Sequence, residues 1–452
     1  MLFILLLRPI WDVDIFWQLR LGELILQQGG PVTREPFAAL HLGEALAPVA
    51  WLGQAIYAQL RLLFGWTGLR IFDAIVWLGG FWAVAAACRR RGAAALAVAF
   101  ALVIAFAPAL PTASIRPQSF AALGFGVLLA LLRLELPPVR TLLFAAPLFV
   151  LWQNLHPSVT VAVVVLGAAA GVAWLKRFAR HGSSRPWLLT ALTVLAAASV
   201  FATPAGVSIL GVSADNAWIS AAMGVSEWLP IWSPLNRPLA VSVAAVALVT
   251  GWLLARNRGR IDWEELVPVL VLFVMTLTAY RFVLFWSITL VPVLARALSV
   301  PGPPPRRSWR GRLVPPTAAA AAVGLSLLVS PTHFSEAIPL AGIRKLAESG
   351  VRGTIFDHFE WGGPLIDAGY PNWTVTYDGR YYRYSPAEWR RYDQARRGEI
   401  GPAELDRIYH PSAYVLKPGY DAALIAALQA APAAWRRIYA DPACVVFVRS
   451  QP

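Results

Sequence analysis

The sequence predicts an α-helical polytopic membrane protein carrying a small C-terminal α/β domain, on three observations. Of 452 residues, 58% are hydrophobic and only 14% charged, and the mean hydropathy of +0.57 is far from the balance of a soluble globular chain. Apolar runs recur about eleven times, most of them near the ~20 residues that cross a ~30 Å hydrocarbon layer as a helix. Beyond residue 330 the texture changes to mixed charge, turn residues and short β-like runs.

In order, the expected spans are residues 1–11, 67–87, 92–109, 116–134, 140–155, 157–175, 186–205, 238–255, 263–280, 281–298 and 313–330. The first is shorter than a full crossing, and whether that helix is complete stays open. Basic residues fall on alternate connections: CRRRG (88–92), RLELPPVR (133–140), LKRFARHGSSR (175–185), ARNRGR (255–260) and RALSVPGPPPRRSWRGR (296–312). The positive-inside rule makes that side cytoplasmic, with the N-terminus inside and everything after residue 330 outside. The formal charge of +14 therefore reports topology. It is not interleaved with stacking aromatics along one face, so no nucleic-acid partner is expected. Cys88 and Cys444 fall on opposite sides, which excludes a disulfide between them, and no Cys/His spacing suits zinc.

These spans divide the chain into a transmembrane domain, residues 1–330, with a long first outer connection at 12–66, and an extracytoplasmic α/β domain, residues 331–452. Within the connection, Ile15, Phe16, Leu19, Leu24, Ile25 and Leu26 largely share one helical face, and VAWLGQAIYAQLRLLF (49–64) sets Trp51, Gln54, Gln59 and Arg61 among aliphatics. Both read as amphipathic helices lying in the interface. Were 49–64 a crossing, every basic cluster would turn outward, which argues against it. In the last domain GTIFD, WTVTYD, AYVLKP and CVVFVRS read as strands, and PAEWRRYDQARRG and YDAALIAALQAA as helices.

With this topology, polar residues collect at the outer helix ends. Asp12 and Asp14 follow the first span, Arg116 and Gln118 open the fourth, and Asn154 and His156 join the fifth to the sixth. Glu227 sits in the outer loop 206–237, and Arg281 at the turn between the ninth and tenth spans. Each has a plain structural alternative: an acid beside a helix end caps it, an arginine snorkels, and a loop histidine satisfies a carbonyl. Together, carboxylates, a histidine and two arginines around one outer cavity supply a base or metal ligand with cations that hold a phosphate. An anionic lipid head group is the natural ligand at that depth, because its tail stays in the bilayer while its phosphate meets arginine.

The run WDVDIFWQLRLGELILQQGGPVTREPF followed by WLGQAIY resembles the opening of the bacterial GT-C-type membrane glycosyltransferase-like proteins. IRPQSF, LWQNLHPS, TPAG, SEWLP and YRFVLFW follow in that family's order, and EWGG and YDGR resemble blocks of its outer domain. The resemblance implies a GT-C-like fold in the bacterial inner membrane. It also implies transfer of a sugar from a polyprenyl-phosphate donor to a glycan, lipid or protein acceptor on the outer face, usually with inversion. The family's first-loop acid, general base or metal ligand, maps onto Asp12 or Asp14, with Glu35 joining the catalytic set. Arg116, His156 and Arg281 would stabilise the leaving phosphate. A divalent cation, Mg or Mn, is a candidate cofactor, with Asp14 and Glu35 as its ligands. The chain departs from the family where Glu35 replaces an Asp, Pro157 a Gly and Thr203 an Asn.

The outer domain offers Asp357, His358 and Glu360 in FDHFEWGG, and Asp378 and Arg380 in YDGR. Adjacent residues on a strand face opposite ways, so the first three converge on a metal only across a turn, and structural or acceptor-binding use is the alternative. Asp378 with Arg380 reads as a local ion pair shaping the turn at Gly379. Two other functions compete: a non-catalytic GT-C-like scaffold or binding subunit, and a transporter, against which stands the lack of paired broken helices in two symmetric halves.

Overall fold

The computed structural model describes residues 1–180, 185–299 and 309–450. Parts of two basic clusters, residues 181–184 and 300–308, therefore lie outside the described residues. The chain folds as two compact units. One comprises Met1–Arg8, Phe64–Gly211 and Ser220–Thr332; the other Pro9–Leu63, Val212–Ile219 and His333–Pro452. The first outer connection thus belongs to the same compact unit as the C-terminal residues, not to the helical domain expected to end at residue 330. The reason is a shared core, in which Leu21, Ile25, Val32 and Phe37 pack with Trp361, Leu365, Trp373 and Val375.

Among the described residues, five helices of the helical unit are long and apolar enough to cross a membrane: Trp51–Arg90, which begins in the other unit, Ala95–Thr112, Val159–Phe178, Pro234–Arg256 and Tyr280–Leu298. Gln118–Leu134, Pro186–Ser199 and Pro316–Val329 are shorter apolar helices. One expectation changes. Residues 1–11 contain only the five-residue helix Leu2–Leu6, about 8 Å long and well short of a crossing. The expected helix over 49–64 begins at Trp51 and is separated from the helix that follows by Gly65, with φ 63° and ψ −169°, backbone angles that glycine alone adopts readily.

Val283–Leu298 is buried over nearly its whole length, as expected of a helix apolar on all sides. Elsewhere apolar stripes face outward, such as Leu96, Phe100 and Val103, 62–74% exposed and spaced four and three apart; a soluble surface does not carry such stripes on several helices. Helices Trp51–Arg90 and Gln118–Leu134 approach with backbones touching at Gly80 and Gly126, where a Cβ on either would strike the other helix's main chain.

The described residues of the five basic connections meet at one end of this unit. Arg91 pairs with Glu135 at 2.5 Å, Arg133 and Arg296 share Glu265 at 2.9 and 3.0 Å, and Lys176 bridges Asp262 and Glu264 at 2.9 and 3.1 Å. Arg260 donates to the carbonyls of Ala297 and Ser299.

The second unit is built on a five-stranded sheet: β1 (Gly353–Asp357), β2 (Trp373–Val375), β3 (Pro411–Leu416), β4 (Trp435–Ala440) and β5 (Val445–Arg449). Its order is β2-β1-β3-β5-β4, with β2, β1 and β3 parallel and the β3–β5 and β5–β4 pairs antiparallel. Beside β2, Val375 N–H donates to the Phe37 carbonyl at 3.0 Å, so the first connection extends that sheet edge. Helix Asp14–Gln28 packs on helix Gly362–Gly369, and Arg61 pairs with Asp367 at 2.7 Å and with Glu23.

Candidate functional site

Within the helical unit, the structure brings together Arg116, His156, Glu227 and Arg281. Asn236, fully buried, donates to the carbonyls of Ser226, Pro230 and Leu229 at 2.9, 3.1 and 3.3 Å and so shapes the short turn that presents Glu227 and Trp228. Tyr280 N–H to Leu229 O and Ile231 N–H to Leu277 O, at 3.2 and 3.1 Å, pin that turn against the residues leading into Arg281. One Glu227 oxygen lies 3.4 Å from Arg116 and the other 3.8 Å from Arg281, whose guanidinium sits 3.7 Å above the Trp228 ring. These side chains remain 18–28% exposed. Burial raises the Glu227 pKa, but Arg116 and Arg281 outweigh it and hold the carboxyl below its ordinary value. His156 is also pushed down, to about 3, by burial first and then by Arg281 and Arg116, which favours the neutral imidazole. Its Nδ1 lies 3.0 Å from the Ser158 hydroxyl, which accepts the Trp152 indole N–H at 2.9 Å. In the tautomer whose Nδ1 accepts the Ser158 O–H, Nε2 carries the proton and is a donor.

Such a cluster holds two permanent cations beside a neutral donor and one carboxylate, an arrangement suited to an anion with several oxygens. Gln118 is buried in the first turn of its helix, close in sequence to Arg116. Asn154 donates from its amide to the carbonyls of Val150, in its own helix, and of Ala202, just past helix Pro186–Ser199, at 2.8 and 2.7 Å. Trp228 and Asn236 were not legible as site residues. The first is one aromatic among 20 Trp, and the second acts only through backbone carbonyls.

The expected catalytic acids belong to the other unit. Asp12, 5% exposed, accepts the Asp14 N–H at 3.0 Å and fixes the start of helix Asp14–Gln28. Asp14 accepts the Trp17 indole N–H at 3.2 Å, and its carboxylate lies directly on Gly379, where any Cβ would collide with it. Glu35 is not an open acid. Both its oxygens take Arg380 in a bidentate pair at 2.8 and 2.9 Å, and one also accepts the N–H groups of Phe37 and Ala38 at 2.8 and 3.0 Å. Arg380 binds Asp378 as well, at 2.6 and 3.0 Å, and all three side chains are 0–1% exposed. This corrects the reading of Glu35 as a catalytic or metal-binding acid; it is the buried counter-ion of Arg380. Among the described residues no group of three or more His, Cys, Asp or Glu is placed to hold a metal ion.

The glycines of EWGG and YDGR follow from packing. A Cβ on Gly362 would meet the Tyr377–Asp378 backbone, and one on Gly363 the Val13 carbonyl. Asp357, His358 and Glu360 separate into two networks. Asp357 accepts from Thr376 and Tyr377 at 2.9–3.2 Å, and burial raises its pKa well above the carboxylate range. His358 sits between Glu360 at 3.3 Å and Asp421 at 3.4 Å, with the Tyr392 hydroxyl 3.2 Å away. No family model matches the sequence, and no curated protein matches it either.

Proposed function

We propose that the chain is an integral membrane glycosyltransferase of GT-C type. It takes a sugar from a polyprenyl-phosphate donor and delivers it, with inversion, to an acceptor on the outer face of a bacterial plasma membrane. The observation that carries this reading is the convergence of Arg116 and Arg281, both partly exposed, on Glu227 beside His156. A lipid phosphate that reaches both guanidiniums, with His156 donating from Nε2, has its negative charge stabilised as the leaving group. The family resemblance assigns the base that takes the acceptor hydroxyl proton to Asp12 or Asp14, which belong to the sheet-bearing unit.

The basic end of the helical unit is cytoplasmic in this reading and the sheet-bearing unit extracytoplasmic, with eleven crossings if residues 1–11 complete the first. An N-terminal reporter found outside reduces the count to ten. A non-catalytic binding subunit is the second reading. It is favoured by one observation, that Asp14 is engaged by Trp17 and seated on Gly379.

Native mass spectrometry of the detergent-solubilised protein with undecaprenyl phosphate tests the donor site. The parent is expected to retain the phosphate over the neutral polyprenol, and Arg281→Ala or Arg116→Ala to lose that preference; equal retention of both lipids overturns the reading. Properly inserted Asp12→Asn and Asp14→Asn variants that both transfer sugar at the parental rate remove the base assignment and leave the binding subunit.

A further inference from the structure

The sheet of the second unit reverses its winding at β1. The chain leaves β1 through helix Gly362–Gly369 to β2 on one side, then returns past β1 to β3 on the other. A crevice therefore opens beyond the carboxyl ends of β1 and β3, the place where open α/β sheets bind ligands. A cleft of about 450 Å³ lies there, within the range of small-molecule sites. Trp361 follows β1, Lys417 and Tyr420 follow β3, and Pro442 and Ala443 come from the β4–β5 turn, brought to the same end because Val445 pairs with Leu416.

Its chemistry is specific. Tyr420, 38% exposed, gives an apolar wall with Pro442 and Ala443, while Trp361, 2% exposed and held by an indole N–H bond to the Ala337 carbonyl at 3.2 Å, forms the floor beneath. Lys417 on the rim meets Glu360 at 3.3 Å, and both are about 45% exposed, so an ammonium donor and a carboxylate acceptor stand side by side at the mouth. Behind them His358, 1% exposed, is bracketed by Glu360 and Asp421, which raise its pKa against the pull of burial. The exposed charges at the mouth are paired, Lys417 with Glu360, and Arg396, over the Tyr420 ring, with Asp393, so the cleft gives no advantage to an ionic ligand. An apolar wall for C–H groups beside a paired donor and acceptor for adjacent hydroxyls fits a neutral sugar ring.

We propose that this cleft is a binding subsite for a neutral saccharide. Its assignment as the place where the acceptor glycan is held rests on the glycosyltransferase reading; the binding itself does not.

Saturation-transfer NMR on the full-length protein in detergent, with maltose, cellobiose, N,N′-diacetylchitobiose and glucuronate as probes, tests it. At least one neutral disaccharide is expected to receive saturation in preference to glucuronate, and Lys417→Met and Tyr420→Ala to weaken its binding at least tenfold. Arg281→Ala, in the other unit, is expected to leave it unchanged. No transfer to any disaccharide, preference for glucuronate, or equal binding by Lys417→Met overturns the proposal. Lys417 is 44% exposed, so that variant keeps its fold. Sugar binding that persists in a protein unable to retain undecaprenyl phosphate sinks the transferase reading alone.

Discussion

In the sheet-bearing unit, Arg380 meets two carboxylates at 2.6 to 3.0 Å with side chains 0–1% exposed; in the helical unit, Arg116 and Arg281 share one at 3.4 and 3.8 Å and stay 18–20% exposed. The residue types are the same and the physics differs. A desolvated arginine is stable only when its donors are matched, and Arg380 has a bidentate partner on one side and a second carboxylate on the other. Arg116 and Arg281 hold Glu227 at longer range and stay partly exposed, so an anion can approach their guanidiniums. Close, fully buried pairs build the sheet-bearing unit, whereas longer, partly exposed ones offer a binding site.

Arg380→Met breaks the contrast most sharply. Leaving Glu35 and Asp378 buried without their cation is expected to cost about 3–5 kcal/mol, read as a fall in thermal unfolding temperature of the solubilised protein. Arg281→Met should shift it by only about 1 kcal/mol or less; equal losses from the two variants would erase the distinction.

Gly379→Ala is next. Its new methyl displaces the Asp14 carboxylate, the end of a side chain that can turn aside, and should destabilise by about 1 kcal/mol. Combining it with Asp14→Gly should recover most of that loss, and simple additivity of the two changes would show that the contact does not constrain the turn.

The smallest effect is one of pH. His41 bridges Glu44 and Glu388 at 3.0 and 2.9 Å. The hydrogen bond to Glu388 chiefly raises His41 above its ordinary 6.5, while Glu388, against the pull of burial, is held down at about 2 by His41 and Ser385. A histidine with a raised folded pKa contributes fully below pH 6.5 and loses that contribution as pH rises through its folded value. The parent should therefore lose about 1 kcal/mol or less between pH 6 and 9 that His41→Asn does not lose. An identical pH slope in both proteins would remove the bridge from the stability of this unit.

Much of the architecture was legible because apolar periodicity is a local signal. Most of the expected spans coincide with helices, and GTIFD, AYVLKP and CVVFVRS are β1, β3 and β5. The strand WRRIYA was missed because it is an edge strand whose Arg436 and Arg437 are exposed, which dilutes the apolar alternation. Helix Gly362–Gly369 was missed because a double glycine reads as a loop, whereas these glycines answer to neighbouring backbones distant in sequence. The cation cluster was legible from its position at helix ends. The fate of Glu35 was not, since its partner Arg380 lies 345 residues away.

The seating of Asp14 on Gly379 gives the D-G-R turn a meaning beyond its own backbone. Its central glycine is the footprint of an acid from the far end of the chain, so the two positions should vary together. A related sequence that fills the glycine with a side chain has had to move or shorten the acid, and with it whatever chemistry that acid performs.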